Sequence, residues 1–197
     1  MAVIKKEIFR QYDIRGIIGA ELDRGIAFKI GRAFAVYLRK ANPDARHVSV
    51  GRDVRISSRE LADGIIDGII SAGIDVADIG ECPTPLQYFS LYHLSLDGGI
   101  MVTGSHNPPE YNGFKLSVGK ETIHGDAIQR LKEIILKGDK LSADNRGEVK
   151  QYDILEPYRQ YMLNEFSYLS DTRYKRLKIV VDAGNGTAGV VAPDILR

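Results

Sequence analysis

Gly99-Ile100-Met101-Val102-Thr103-Gly104-Ser105-His106-Asn107-Pro108-Pro109 joins two kinds of sequence in a single short stretch. The first half is apolar, short and closed by glycine, the pattern of a buried strand rather than a helix. The second half is a loop with chemistry in it. Gly104 permits close backbone approach, Ser105 presents a hydroxyl, His106 can donate or exchange a proton, and the two prolines stiffen the chain beyond them. Open α/β sheets hold their ligands at the carboxyl ends of strands, which is where this loop falls. A fixed, exposed hydroxyl is what nucleophilic phosphoryl transfer needs, provided a neighbouring base or a metal-bound phosphate activates it. On the residues alone, the same stretch is equally an ordinary polar turn with an Asn-Pro stop.

Three further runs read as buried strands: Val48-Ser49-Val50-Gly51, Ile74-Asp75-Val76 and Leu177-Lys178-Ile179-Val180-Val181. Segments of helical period separate them. Asp23 is placed to cap a helix that carries Ile26, Ile30, Ala33, Phe34 and Tyr37 on one face. Ser57 or Ser58 is placed to cap a second, whose Leu61, Ile65, Ile66, Ile69 and Ile70 form an apolar band ended by Gly73. A third helix is expected over Pro85 to His93 and a fourth over Asp126 to Lys137, with Gly138 just beyond. Glu156-Pro157 starts a fifth, with Tyr158, Tyr161, Met162 and Phe166 near helical spacing. The fold class is therefore α/β: a three-layer αβα domain around a mixed, mostly parallel sheet, followed by the start of a second, similar domain. Gly138 to Lys150 is polar and aperiodic and reads as the linker, giving domains at 1–150 and 151–197. Gly184-Asn185-Gly186 turns the chain into one last helix. The sequence ends at Arg197 before that second unit can close a core, so the chain reads as truncated.

The 197 residues, 44 % of them hydrophobic, are enough to bury a core. Lys and Arg number 27 against 26 Asp and Glu. A net charge of +1 gives no reason to expect nucleic acid or an anionic membrane as partner, and no protein partner is implied. The ligand is expected to be small. Cys82, the single cysteine, has no internal disulfide partner. The start Met1-Ala2-Val3-Ile4-Lys5-Lys6 lacks the apolar core of a secretion signal, so a cytoplasmic location is expected.

Other segments offer cations. Tyr111-Asn112-Gly113-Phe114-Lys115 contains an Asn-Gly turn signal, after which Lys115 would return toward Ser105 across a hairpin. The alternative is a solvated strand lysine. Phe9-Arg10-Gln11-Tyr12-Asp13-Ile14-Arg15-Gly16, if extended, puts Asp13 and Arg15 on one face and Ile14 inward. Arg15 would then reach a phosphate bidentately, or else form a surface pair with Asp13. Gly51-Arg52-Asp53-Val54-Arg55 offers two more arginines, with Asp53 placed to hold one of them. A serine hydrolase is disfavoured because its nucleophile elbow wants glycine two residues either side of the serine, where Thr103 and Asn107 stand. No Walker loop is present. Cys82 reads as a small buried residue, and His47, His93 and His124 are too scattered for a metal cluster.

Thr103 to Pro108 resembles the phosphoserine loop of the α-D-phosphohexomutases. Phe9 to Gly16, Gly51 to Ser58, Tyr111 to Lys115 and Val181 to Gly189 resemble, in order, that family's N-terminal segment, its first Gly-Arg-Asp loop, its lysine turn and the start of its second domain. The Tyr-Asn-Gly-Phe-Lys version is more similar to bacterial phosphomannomutase/phosphoglucomutase than to phosphoglucosamine mutase.

The resemblance implies a phosphorylated Ser105 that gives its phosphoryl group to a hexose 1- or 6-phosphate of mannose or glucose. A hexose 1,6-bisphosphate is the implied intermediate and Mg²⁺ the implied cofactor. Lys115 and Arg15 would stabilise charge or exchange protons at the serine and bind substrate, His106 would stand beside it, and Tyr12 would contact the sugar phosphate. Family members have four domains, with an aspartate-rich metal loop in the second. From this chain the metal would have only the Ser105 phosphate as ligand, and the fragment alone is expected not to turn over. The rival from another class is a non-catalytic phosphate-binding module in which Arg15, Arg52 and Lys115 grip an anion.

Overall fold

The computed structural model describes residues 4–138, 145–170 and 178–196. Among these, seven strands form one sheet: β1 (Ile14–Ile17), β2 (His47–Arg52), β3 (Asp75–Glu81), β4 (Gly98–Val102), β5 (Tyr111–Val118), β6 (Glu121–Thr122) and β7 (Val149–Gln151). Their spatial order is β1-β5-β4-β2-β3-β7, with β6 beside β5. β2, β3, β4 and β7 are mutually parallel, and β5 is antiparallel to each of its neighbours β1, β4 and β6. One strand thus opposes the other six. The helices are α1 (Arg24–Ala41), α2 (Ser58–Ile70), α3 (Thr84–His93), α4 (Asp126–Lys137), α5 (Leu155–Glu165) and the short α6 (Ala192–Ile195).

Strand alternation sorts the side chains into two layers. Ile14, Val48, Val50, Val76, Ile100, Val102, Phe114 and Leu116 join the main core with Ile30, Phe34, Ile65, Ile69 and Leu131 from α1, α2 and α4. Each such side chain contributes about 1.5–3 kcal/mol on burial, which is why the two-residue strand period and the 3.6-residue helix period decide the fold here. The opposite face is thinner. Ile79 and Met101 meet Leu86 of α3 and Ile154, with Phe89 and Tyr158 packed at the margin. Ser49 also faces α3 and accepts a hydrogen bond from the Ser90 hydroxyl at 2.8 Å.

Asp23 caps α1 as expected, accepting from the Ile26 N–H at 2.7 Å. α4 runs over the expected residues. Four expectations need correction. Asn112-Gly113 does not turn the chain but lies inside β5, because β1 packs against it there: a Cβ on Gly113 would sit 2.2 Å from the Ile14 carbonyl oxygen. Ser57 holds the cap position of α2 without making a capping bond, since it and Ser58 are engaged elsewhere. Part of the segment read as a linker, Val149–Gln151, is strand β7, added in parallel to β3; residues 139–144 lie outside the described residues. Lys178 to Val181 is exposed and forms no strand, for it has no described neighbour to pair with; Leu177 lies outside the described residues.

Candidate active site

β4 ends at Val102 and the next residues form the serine loop. Ser105 is exposed and takes a left-handed backbone, φ 52°. Its N–H donates to the Thr103 hydroxyl at 2.9 Å, and its own Oγ lies 3.4 Å from His106 Nδ1. A non-glycine residue in this conformation is held there by its surroundings. The hold comes from β2's end. The buried Asp53 carboxylate accepts from the Gly104 N–H at 3.1 Å, from the Arg55 N–H at 3.1 Å and from the Ser58 hydroxyl. Arg55 Nε stands 3.3 Å from the same carboxylate. Its two terminal nitrogens donate to the carbonyls of Pro108 (2.7 Å), Tyr111 (3.0 Å), Ser105 (3.0 Å) and Asn107 (2.6 Å).

Asn112 completes the frame from β5. Its amide nitrogen donates to Ser57 Oγ and Ser58 Oγ, each at 2.9 Å, and its carbonyl oxygen accepts from the Gly113 N–H at 2.8 Å. The buried asparagine therefore ties the start of α2 to the sheet, and through the Ser58 hydroxyl to Asp53.

Arg15 reaches the loop from β1. One terminal nitrogen donates to the Asn107 side chain and the other to Asp13, in a pair that is almost wholly buried. Ile14 points the other way into the core, as the extended reading expects. Register places Lys115 on the same sheet face as Arg15, because Arg15 stands opposite Gly113 and Met101 opposite Lys115, on a face whose alternates Phe114 and Val102 are core. Lys115 is half-buried, and no hydrogen bond or ion pair joins it to another described residue. Tyr12 is 69 % exposed and its ring lies 6.3 Å from that of His124. No hydrogen bond joins Tyr12 to the serine loop.

The structure thus brings Ser105, His106 and, through Asn107, Arg15 into one constellation. Arg52 does not join it. Its guanidinium is buried against Asp78 at 3.3 Å with Glu81 at 3.9 Å, so it is not available to grip an anion beside Arg15. Pattern alone does not reveal the part of Asn112 and Ser58 in framing the loop, nor the loop-spanning role of Arg55. Asp53 two residues before Arg55 was the one signal of it. The site opens into a cleft of about 590 Å³, lined by Ser105, Thr103, Met101 and Arg55 on one side and by residues 183–188 on the other. Among the described residues no three His, Cys, Asp or Glu side chains gather to hold a metal ion. Cys82 is buried with its thiol pushed up to about 12 by desolvation, so it stays protonated and inert.

Residues 6–142 match the family model described as phosphoglucomutase/phosphomannomutase, alpha/beta/alpha domain I. The chain belongs to the phosphoglucomutase/phosphomannomutase family. A phosphomannomutase/phosphoglucomutase of Pseudomonas aeruginosa is 43 % identical over 191 residues, covering 96 % of this chain and 39 % of its own length. A phosphoglucomutase of Neisseria meningitidis is 40 % identical over 198 residues, with 41 % of its length covered. The crystal structure of a phosphoglucomutase/phosphomannomutase family protein from Burkholderia thailandensis superposes with a TM-score of 0.87 at 40 % identity, over 98 % of this chain and 42 % of that one. The chain thus spans about two fifths of the length of these family members, and its residues 6–142 correspond to the family's α/β/α domain I.

Proposed function

We propose that the intact enzyme is a phosphohexomutase that interconverts the 1- and 6-phosphates of mannose or glucose. Phosphorylated Ser105 gives its phosphoryl group to the free hydroxyl of the hexose phosphate: the bond from Ser105 Oγ to phosphorus breaks as one to the sugar oxygen forms. The resulting hexose 1,6-bisphosphate then returns its other phosphoryl group to Ser105. The observation that carries this reading is an exposed hydroxyl on a loop fixed chiefly through backbone atoms, with Ser105 Oγ on the cleft and only its neighbour His106 within hydrogen-bond reach. A phosphoserine adds about −1.5 to −2 charges, and a loose phosphoryl-transfer transition state is stabilised chiefly by positioned cations. Arg15 and Lys115, on one sheet face, fill that role in this reading; His106 stands beside the reacting oxygen, and Tyr12 contacts the sugar phosphate from the rim.

The family is generally metal-dependent, and Mg²⁺ is the cation this reading assigns. The described residues do not make a site for it unaided, so its remaining ligands belong to chain outside them. The division into a first domain over 1–150 and the start of a second over 151–197 belongs to the same reading. It is supported by the end of the family match at residue 142 and by the absence of any buried described residue after Ile154. A cytoplasmic site of action and small sugar phosphates as sole partners complete it; no helix of the described residues is long and apolar enough to cross a membrane.

Phosphopeptide mass spectrometry of the intact gene product tests the proposal. Phosphate on Ser105 that is lost on adding hexose phosphate is the expected result. A Ser105→Ala enzyme with unchanged mutase activity would exclude it.

A further inference from the structure

We propose that Arg55 is the positioning residue of the serine loop, and that position 104 is glycine in order to admit its guanidinium. A guanidinium has five N–H groups in a rigid planar fork. Here the two terminal nitrogens donate to four loop carbonyls, those of Ser105, Asn107, Pro108 and Tyr111, and Nε is ion-paired with Asp53 at 3.3 Å. Both terminal nitrogens are engaged by loop carbonyls and Nε is ion-paired with Asp53, so the guanidinium is committed to the loop even though it lines the cleft. Its contacts run from Ser105 to Tyr111, across a loop that contains two prolines and whose own backbone bonds are only Asn107 N–H to Gly104 O and Tyr111 N–H to Pro108 O, both 3.0 Å. Arg55 is therefore the side chain that joins the most points along the loop, beside the single ties from Asp53 to the Gly104 N–H, from Thr103 to the Ser105 N–H and from Arg15 to Asn107.

Gly104 supplies an independent observation. A Cβ there would lie 2.4 Å from Arg55 Cζ and 2.5 Å from Arg55 Nε, closer than real side chains approach. Gly104 is not among the glycines with positive φ, so its backbone tolerates alanine and the obstruction is the guanidinium itself. Lysine cannot replace Arg55, since an ammonium is a point donor with three N–H groups and cannot span four carbonyls and a carboxylate.

The test has two arms. In the first, amide hydrogen exchange of the chain is followed at Asn107 and Tyr111, with Ile100 of β4 as the core reference. Arg55→Ala, Arg55→Lys and Gly104→Ala are each expected to speed exchange of the loop amides by about ten-fold or more with Ile100 unchanged. Equal acceleration of loop and core, which makes Arg55 a general stabiliser, or no acceleration at all, overturns the proposal. In the second arm, kcat of the intact enzyme is expected to fall about ten- to a hundred-fold with KM within about three-fold, because loop geometry and not ground-state binding is lost. A raised KM at unchanged kcat makes Arg55 a substrate ligand, and full activity of Arg55→Lys makes it a mere charge; either overturns it. The double variant Gly104→Ala/Arg55→Ala is expected to be no worse than Arg55→Ala alone, since the two changes act through one contact; multiplied losses refute that coupling. Should Arg55→Ala not fold, Gly104→Ala carries the same measurements with the arginine present. The activity arm rests on the phosphoserine reading, whereas the exchange arm does not, so an active Ser105→Ala enzyme would remove that reading and leave the role of Arg55 to be decided by exchange.

Discussion

Arg15 donates a hydrogen bond to the side chain of Asn107, 92 positions later in the chain, and the two thereby lock the first strand to the serine loop. The arginine side chain is 10 % exposed and has Asp13 as its other partner, so it is held rigidly in place before any ligand arrives. A cation fixed in this way costs little reorganisation when charge develops on a transferring phosphoryl group.

Asn107→Ala is expected to leave a buried guanidinium N–H without an acceptor. The loss should be about 1.5–3 kcal/mol of unfolding free energy, the range for hydrogen bonds to charged groups. Urea unfolding would read it as a lower midpoint at unchanged slope. A midpoint equal to that of the parent would mean that the contact contributes no stability.

Lys115→Ala separates function from stability. With no polar partner among the described residues, its loss should change stability by less than about 0.5 kcal/mol. If it stabilises the transferring group, kcat of the intact enzyme should fall by about a hundred-fold or more. A drop below three-fold would leave the lysine as a strand residue.

Arg52→Ala should behave in the opposite way. It strands the Asp78 carboxylate, 4 % exposed, without its cation, which for a buried pair costs about 3–5 kcal/mol. Isothermal titration with inorganic phosphate should show no change in affinity beyond error. A marked loss of phosphate binding in a folded variant would return Arg52 to the anion-binding set.

Gly113→Ala forces a methyl group into the Ile14 carbonyl, at 2.2 Å. Overpacking of that kind costs about 1–3 kcal/mol, and here it should displace β1 rather than the core strands. Circular dichroism during urea unfolding would give the stability loss, and faster amide exchange confined to residues 14–17 would locate it.

Cys82 imposes a pH dependence whose sign is set by burial. Its thiol titrates near 9.0 when unperturbed and at about 12 in the fold, where desolvation disfavours the thiolate. Only the unfolded chain loses that proton between pH 9 and 12, so stability should be intact below pH 9 and fall across the window. The slope from this group is at most about 1.4 kcal/mol per pH unit. Urea unfolding from pH 8 to 10.5 should show a shallower fall for Cys82→Ala than for the parent; identical slopes would mean that the thiol is not shielded.

What could be read from residues and what could not divide along physical lines. Asp23, Gly138 and the apolar spacing of α1, α2 and α4 are local signals, and the structure agrees with them because capping and amphipathicity act within a turn or two. The strand before Thr103 was legible for the same reason, being apolar, short and punctuated by glycine. Asn112-Gly113 misled because the dipeptide marks a turn only where nothing else needs a missing side chain; β1 needed it, from a hundred residues away. Val149–Gln151 carries no apolar run, being an exposed edge strand stabilised by backbone pairing to β3. Ser105 and Arg15 could be nominated from residue type and position. That Arg55 would face inward to four carbonyls, while Arg52 turned to Asp78, depends on which strand lies alongside, and no periodicity encodes that.

The antiparallel seat of β1 has a consequence for biogenesis. Among the described residues β1 has one ladder partner, β5, pairing Ile14 with Phe114 and Ile17 with Tyr111. A ribosome adding about 5–20 residues per second needs on the order of 5–20 s to make the intervening hundred. The nascent N-terminus therefore emerges with its strand unmated while every element from α1 to β4 is still being synthesised. A chain interrupted before β5 would therefore carry Arg15 and the serine loop but lack both the strand that seats Arg15 beside that loop and the helix α4 that completes the main core.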